Sequence, residues 1–204
     1  MKKNSAPPAA RVIWINGAFG AGKTQAAYAL QRRLPGAYVY DPENAGYFIR
    51  KNLPSSMELD DFQDYPMWRT INLDMLRYIL RSRTDPVIVP MTVTSRAYYD
   101  QLIGKLSEEY AVRHVILYAS RETLLRRLAA RGEGRRSWAA QQIDRCLQAF
   151  EAEIREHRIT TDHMTIQQVV QAVADCAGLS LVADRRSRPR RFVDRLAAQW
   201  QHMW

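Results

Sequence analysis

A segment near the N-terminus combines glycines with one lysine and one threonine at a spacing that suits phosphate chemistry. It reads, in order, Gly17, Ala18, Phe19, Gly20, Ala21, Gly22, Lys23 and Thr24. Glycines allow the backbone to curl until several amide hydrogens converge on one anion. Lys23 would then reach the β and γ phosphates of a nucleotide, and Thr24 would offer its hydroxyl to Mg²⁺. The segment therefore predicts a site for Mg-ATP, with Lys23 as a catalytic residue and Thr24 as a metal ligand.

The residues around this segment predict the elements that must hold it in place. Residues 12–16 form a short apolar run rich in strand formers, and residues 25–30 have a good helical composition. A strand, a glycine-rich turn and a helix in this order are typical of a phosphate loop, because the helix N-terminus adds its positive dipole end. The alternative, a glycine-rich turn that binds nothing, does not account for this context.

Two further candidates stand at the ends of predicted strands. Asp41 follows the predicted strand 37–40, and Thr92 follows the predicted strand 86–91. The carboxyl ends of parallel strands line one crevice, so Asp41 would face the γ-phosphate and accept the proton of an acceptor hydroxyl. The alternative is that Asp41 and Pro42 only begin a turn. Thr92 either contacts the acceptor or simply ends its strand.

The end of strand 86–91 contains no carboxylate. P-loop motors and switches usually place an acidic residue at the end of a neighbouring strand, where it supports Mg²⁺. Here the strand ends with Pro90, Met91 and Thr92. Efficient ATP hydrolysis is therefore disfavoured, and either transfer to a bound acceptor or plain binding is favoured.

A cluster of arginines follows the fourth predicted strand, residues 112–118. Its members, all within sixteen residues, are Arg121, Arg126, Arg127, Arg131, Arg135 and Arg136. They run along a predicted helix into a loop with two glycines, which predicts a lid over residues of about 126–138. Arg127 and Arg131 share one helix face, so both would neutralise charge on one phosphate chain during catalysis. The alternative is a solvated basic face, and the sequence does not distinguish which arginine is catalytic.

Strands and helices alternate along the chain. A last short strand is predicted near residues 158–161. Helices are predicted over residues 68–83, 96–109, 122–130, 137–156 and 165–177. This alternation predicts a three-layer α/β P-loop NTPase fold with a five-stranded parallel sheet, like that of nucleoside and small-molecule kinases.

Length and composition predict one domain with two appendages. At 204 residues and 47% hydrophobic content, the chain supports one substantial core. We expect a flexible N-terminal extension over residues 1–10, a kinase-like domain over 11–184 and a C-terminal appendage over 185–204. No apolar run is long enough for a secretory signal or a spanning helix, which predicts an intracellular chain.

The C-terminal appendage concentrates positive charge. Residues 185–204 hold six arginines and one aspartate, so they contribute +5 of the formal charge of +9. From Phe192 onward the apolar residues fall on one helical face, which predicts an amphipathic helix over 192–204 that suits an anionic membrane surface. The alternative is docking on the protein's own core or on a second subunit. Nucleic-acid binding is disfavoured, because the chain has no recognisable nucleic-acid module and the apolar face would be unexplained.

Several blocks carry a family resemblance. They are IWINGAFGAGKTQ (13–25), YVYDPE (38–43), DDFQDYP (60–66), VPMT (89–92), SWAA (137–140) and QIDRC (142–146). In these blocks, and from about Val12 to Phe192, the sequence resembles the tunicamycin-resistance protein family. The resemblance implies an ATP-binding protein that protects bacteria against tunicamycin, a uridine-containing nucleoside antibiotic with a fatty acyl chain. It leaves open whether such a protein phosphorylates the drug or only holds it.

The resemblance also implies roles for individual residues. In an ATP-dependent phosphotransferase, Lys23 and the lid arginines would stabilise charge while Asp41 handles the acceptor proton. The alternative is a membrane-associated ATP-binding protein that sequesters the drug without modifying it. The rings of Phe62, Tyr65 and Trp68 would stack on uracil or line an acyl groove, or else belong to an ordinary packed loop. We expect a cytoplasmic protein at the inner face of the cell membrane, and the sequence does not give its oligomeric state.

Overall fold

Five parallel strands form the centre of the fold. The structure, a computed structural model, describes residues 9–184. Its strands are β1 (Val12–Gly17), β2 (Tyr38–Val39), β3 (Val87–Pro90), β4 (Val112–Tyr118) and β5 (Arg158–Thr160). They pair in the order β2-β3-β1-β4-β5, and every pairing is parallel. The predicted five-stranded parallel sheet is confirmed. Because β1 is the central strand, the loop that follows it leaves from the middle of the sheet's carboxyl edge.

Helices connect the strands. They are α1 (Lys23–Gln31), α2 (Glu43–Asn52), α3 (Pro66–Ser82), α4 (Arg96–Tyr99), α5 (Lys105–Glu109), α6 (Arg121–Ala129), α7 (Trp138–Gln141), α8 (Ile143–Ala152) and α9 (Ile166–Ala177). A π-helical stretch, Asp100–Gly104, joins α4 to α5, so the three segments together form the helix predicted over residues 96–109. The sequence pattern does not predict α2, which follows the candidate residue Asp41.

Two hydrophobic cores lie on opposite faces of the sheet. On one face, Ile13 and Ile15 of β1 pack with residues of α1, α6, α8 and α9. On the other face, Val12 and Trp14 pack with residues of α3. All six residues of β1 are buried, as expected for a central strand that is covered on both sides. This arrangement confirms the three-layer α/β fold and fixes the start of the loop after β1.

The predicted appendages lie mostly beyond the described part of the chain. Ala10, at the end of the predicted extension, is buried and donates its backbone N–H to the carbonyl oxygen of Ala177 at 3.0 Å. The linker and amphipathic helix predicted over 185–204 lie outside the described residues. That helix therefore stays a prediction. Within residues 9–184, no helix has the length and apolar character needed to cross a membrane.

Candidate functional site

The phosphate loop joins β1 to α1 through three glycines in unusual backbone conformations. Gly17, Gly20 and Gly22 have φ angles of 146°, 83° and 91°, which residues with a Cβ rarely adopt. At Gly17 a Cβ would also lie 2.6 Å from the carbonyl oxygen of Leu117. Since α1 begins at Lys23, directly after Gly22, its positive N-terminus faces the loop. This local geometry suits the binding of an anion.

Two buried side chains tie the loop to the residues after β3. Asn16 Oδ1 accepts the backbone N–H groups of Gly17 and Val93 at 2.8 and 3.0 Å. Asn16 Nδ2 donates to the carbonyl oxygen of Val93 at 2.8 Å. Thr92 Oγ1 donates to the carbonyl oxygen of Gly17 at 2.9 Å. Thr92 thus fastens the loop to the neighbouring strand, a role that its position in the sequence does not reveal.

A buried histidine extends this network. Asn16 Nδ2 lies 3.1 Å from His114 Nε2. Because Asn16 Oδ1 already accepts two N–H groups, Nδ2 is the donor in this contact and Nε2 the acceptor. His114 is 5% exposed, and its Nδ1 lies 3.8 Å from Glu156 Oε2. Burial, with a smaller effect of His157, lowers the pKa of His114 to about 3, so the imidazole is neutral at physiological pH.

The burial of His114 makes the stability of the domain depend on pH. Its folded-state pKa lies below the ordinary histidine value of 6.5, so the unfolded chain binds the extra proton and stability falls as the pH decreases below about 6.5. We expect a contribution of up to about 1.4 kcal/mol per pH unit to the free energy of unfolding. Urea unfolding at a series of pH values measures it.

His114→Gln keeps an acceptor for Asn16 and should remove this contribution. The matched control is His163→Gln, because His163 is exposed and its replacement should leave the pH dependence unchanged. Equal slopes for the wild type and His114→Gln between about pH 6 and about pH 4 would contradict this account of the buried network.

Lys23 lies almost fully buried inside the loop, with 9% exposure. Its Nζ donates to the carbonyl oxygen of Ala18 at 3.2 Å and lies 5.4 Å from the centre of the Phe19 ring. Burial lowers the pKa of Lys23, and the negative charge of Glu43 acts in the opposite direction. An incoming polyanion would therefore supply the counter-charge that a buried ammonium group requires.

A cleft of about 170 Å³ opens over the loop, and we call it the phosphate cleft. It brings together the predicted residues Lys23, Thr24 and Arg131, together with Glu43. Thr24 is half-buried at the start of α1. Its hydroxyl fits the metal role predicted for it, because Mg²⁺ that bridges nucleotide phosphates prefers oxygen ligands.

A hollow of about 300 Å³ lies beside the loop and is lined by both predicted catalytic arginines. Arg127 donates to the side-chain and carbonyl oxygens of Thr161 at 3.1 and 2.7 Å, and burial lowers its pKa. Arg131 is exposed and lines both this hollow and the phosphate cleft. The structure thus separates the pair: Arg131 lines the phosphate cleft, whereas Arg127 is held at the end of β5. The catalytic role of each arginine stays a prediction.

A larger cleft, of about 610 Å³, has residues in common with the phosphate cleft, and we call it the acceptor cleft. Aromatic side chains contribute much of its wall: Phe19, Tyr47, Phe62 and Trp138. The rings of Phe19 and Trp138 meet edge to face with centroids 4.9 Å apart. The phosphate loop and the start of α7, which is also the end of the predicted lid, therefore contribute two adjoining rings to this wall.

The acceptor cleft has more acidic than basic side chains. Its carboxylates are Glu43, Glu58, Asp60 and Asp61, and its guanidinium groups are Arg50 and Arg145. Arg145 pairs with Asp61 at 3.2 Å. Arg50 donates to the carbonyl oxygens of Leu59 and Asp60 at 3.0 and 2.7 Å. Because both arginines already bind acceptors of the protein itself, the cleft disfavours an anionic ligand.

Of the three rings predicted to contact a substrate, Phe62 lines the acceptor cleft and the other two do not. The Tyr65 hydroxyl accepts the backbone N–H of Leu59 at 2.8 Å, and the ring is 5% exposed. Trp68 is fully buried and donates from Nε1 to the carbonyl oxygen of Pro42 at 2.9 Å. Both rings belong to the hydrophobic core against which Phe62 packs, as in the packed-loop alternative, and their contact with a substrate stays a prediction.

Asp41 lies between β2 and α2, but its carboxylate binds the backbone. Asp41 Oδ1 accepts the N–H of Glu43 at 3.0 Å, a turn interaction of the kind that the sequence left open. Asp41 is not among the residues that line the phosphate and acceptor clefts, whereas Glu43 lines both. The catalytic role of Asp41 stays a prediction, and the sequence pattern assigned no role to Glu43, although it stands in the block 38–43.

Comparisons with known proteins agree with the fold. The AAA domain family matches residues 12–153. The chain is similar to the tunicamycin resistance protein of Deinococcus radiodurans, with 34% identity and a TM-score of 0.73 over 86% of this chain and 99% of that one. A search of the curated proteins gave no match.

Two more distant structures share the fold. A gluconokinase from Sinorhizobium meliloti has 21% identity and a TM-score of 0.59 over 82% of this chain and 91% of that one. A shikimate kinase from Bacteroides thetaiotaomicron has 20% identity and a TM-score of 0.55 over 84% of this chain and 100% of that one. With its phosphate loop in a kinase-like fold and its likeness to the Deinococcus protein, the chain belongs to the AAA domain family and to the tunicamycin-resistance proteins.

Proposed function

We propose that this chain transfers the γ-phosphate of Mg-ATP to a hydroxyl group of a tunicamycin-like nucleoside antibiotic. The observation that carries the proposal is the junction of two clefts, because Phe19 and Glu43 line both the phosphate cleft and the acceptor cleft. A phosphoryl group held over the loop would face an acceptor bound next to it. Positioning of this kind is the main requirement for phosphoryl transfer. The similarity to the Deinococcus protein supports the choice of acceptor.

The residues of the phosphate cleft would carry the charge chemistry. Lys23 and Arg131 would neutralise the charge that spreads over the phosphate oxygens during transfer. Arg127, in the hollow beside the loop, would support the nucleotide from that side. Thr24 would hold Mg²⁺, which supplies further charge neutralisation when it is bound. A carboxylate at the junction of β2 and α2, where Asp41 is the predicted base, would accept the proton of the acceptor hydroxyl.

The acceptor cleft suits an uncharged ligand that has rings and hydroxyl groups. Its aromatic wall, including Phe62 and Trp138, offers flat surfaces on which a nucleobase stacks. Its excess of carboxylates provides acceptors for hydroxyl protons and repels anions. A nucleoside antibiotic meets both conditions.

The alternative function is sequestration, in which ATP controls a closed state and the drug stays unmodified. It shares the two clefts but requires no proton acceptor at their junction.

We also propose a peripheral contact between residues 192–204 and an anionic membrane, which would place the protein at the inner face of the membrane. This contact is independent of whether the drug is phosphorylated or sequestered. Cosedimentation with anionic vesicles, for the chain with and without these residues, tests that contact.

Formation of ADP as a function of drug concentration separates the two functions. A phosphotransferase should form ADP at a rate that rises with tunicamycin and saturates. Sequestration should give saturable drug binding with ADP formation unchanged by the drug, and this outcome would overturn the proposal. Shikimate and gluconate serve as anionic comparison acceptors, for which we expect no stimulation because of the negative balance of the cleft.

A further inference from the structure

We propose that Glu43, rather than Asp41, is the carboxylate that accepts the proton of the acceptor hydroxyl. This inference rests on the proposed phosphotransfer and names the residue that performs its proton step. Asp41 is then a positioning residue that holds the first turn of α2, and with it Glu43, in place.

The position of Glu43 between the two clefts is the first argument. A proton acceptor for phosphoryl transfer must reach the acceptor hydroxyl while that hydroxyl faces the γ-phosphate. Phe19 and Glu43 line both the phosphate cleft and the acceptor cleft. Of these two, only Glu43 has a side chain that can take up a proton.

The backbone contact of Asp41 is the second argument. Asp41 Oδ1 accepts the N–H of Glu43 at 3.0 Å, so one of its oxygens serves the start of α2. The two carboxylates also differ in their effect on Lys23. Burial lowers the pKa of Lys23, and among the charges that raise it, Glu43 has the largest effect and Asp41 the smallest. Glu43 is therefore the carboxylate more closely coupled to the residue that would hold the γ-phosphate.

The orientation of the Glu43 side chain is the third argument. Tyr47, one helical turn further along α2, donates from its hydroxyl to Glu43 Oε2 at 3.3 Å. Burial, together with the charge of Glu43, raises the pKa of Tyr47 to about 12. The phenol therefore keeps its proton near neutral pH and remains a donor. This contact holds the carboxylate at the wall of the acceptor cleft, which Tyr47 also lines.

The step balances without a further reactant. The hydroxyl oxygen of the acceptor forms a bond to the γ-phosphorus, and the bond between this phosphorus and its bridging oxygen to the β-phosphate breaks. ADP leaves with the electron pair of that bond. The hydroxyl proton moves to the Glu43 carboxylate, which releases it to water after the product departs.

Steady-state kinetics of isosteric variants test the assignment, with tunicamycin and Mg-ATP as substrates. Glu43→Gln should lower kcat by roughly a hundred- to ten-thousandfold, with KM for both substrates within about threefold. Asp41→Asn keeps an oxygen that accepts the Glu43 N–H, so its kcat should fall by no more than about tenfold. Glu43→Asp should recover part of the activity lost in Glu43→Gln. The matched control is Glu108→Gln, an exposed glutamate of α5, which should behave like the wild type.

The outcomes are distinct. If wild-type protein forms no phosphorylated drug, the proposed phosphotransfer fails and the proton acceptor fails with it. If the wild type is active and Asp41→Asn loses activity while Glu43→Gln keeps it, Asp41 is the base and the assignment is overturned. If excess Mg²⁺ restores the rate of Glu43→Gln, the carboxylate supports the metal instead, which also overturns it. Thermal unfolding of each variant confirms that the protein is folded.

Discussion

Replacement of Lys23 by alanine should lower the rate of phosphate transfer by roughly a hundred- to a thousandfold. An effect of this size is typical when an enzyme loses one donor that stabilises the charge of the transition state. The reason is the place of Lys23 in the phosphate cleft, where it is 9% exposed and forms part of the loop that would enclose the phosphates. Resistance of cells that carry the variant should disappear under either proposed function, because both require bound ATP. Transfer rates and plating on the drug measure the two effects.

The same variant should remain folded. Burial lowers the pKa of Lys23, which means that the ammonium group is not well stabilised before a polyanion arrives. We therefore expect the free energy of unfolding to be unchanged or higher. Lys105→Ala, at an exposed lysine of α5, is the matched control and should have normal activity. A Lys23→Ala protein that binds ATP and transfers phosphate at the wild-type rate would contradict the assignment of the loop.

Gly17→Ala should destabilise the domain and abolish nucleotide binding. The residue has a φ angle of 146°, and a Cβ there would lie 2.6 Å from the backbone oxygen of Leu117. Because Leu117 belongs to β4, the neighbour of β1, the clash cannot be relieved by rotating a side chain. We expect a loss of at least roughly 2 kcal/mol in the free energy of unfolding, measured with denaturant.

Two other glycines separate the causes of this effect. Gly22 has a φ angle of 91°, but a Cβ there would meet nothing within 4 Å, so Gly22→Ala reports strain alone, at roughly 1 to 2 kcal/mol. Gly134 has open space and no positive φ angle, so Gly134→Ala should change stability by less than about 0.5 kcal/mol. Equal stability of the Gly17 and Gly134 variants would contradict the loop geometry.

Local sequence signals were sufficient for the sheet and the phosphate loop, but not for α2. Strands such as β1 are continuous apolar runs, and the glycine spacing of residues 17–24, between a strand and a helix, is specific to phosphate-binding loops. In α2, Gly46 interrupts the helical pattern and costs about 1 kcal/mol in helix propensity. The structure needs this glycine, because a Cβ there would lie 2.5 Å from the Phe62 ring. The packing of Phe62 against α2 thus explains the glycine, and no local pattern reveals this contact.

The candidate site could be predicted only in part, because it too depends on contacts between segments that are distant in the chain. Aromatic residues at 62–68 suggest a binding surface or a core equally well, and only burial distinguishes Phe62 in the cleft from Trp68 beneath it. Asn16 and His114 are 98 positions apart in the chain, so their network has no sequence signature. The choice between Asp41 and Glu43 depends on the geometry of the turn that leads from β2 into α2, and the presence of two nearby acidic residues does not reveal that geometry.

The central claim is that ATP and the drug meet as donor and acceptor of one phosphoryl group. Mass spectrometry of tunicamycin after incubation with the protein, Mg²⁺ and ATP labelled with ¹⁸O in the γ-phosphate tests it most directly, with Lys23→Ala as the control. The account predicts that the drug gains one labelled phosphate in the wild-type reaction and that the control forms the same product at least roughly a hundredfold more slowly. Drug recovered unmodified from a protein that demonstrably binds it would contradict phosphotransfer and establish sequestration in its place.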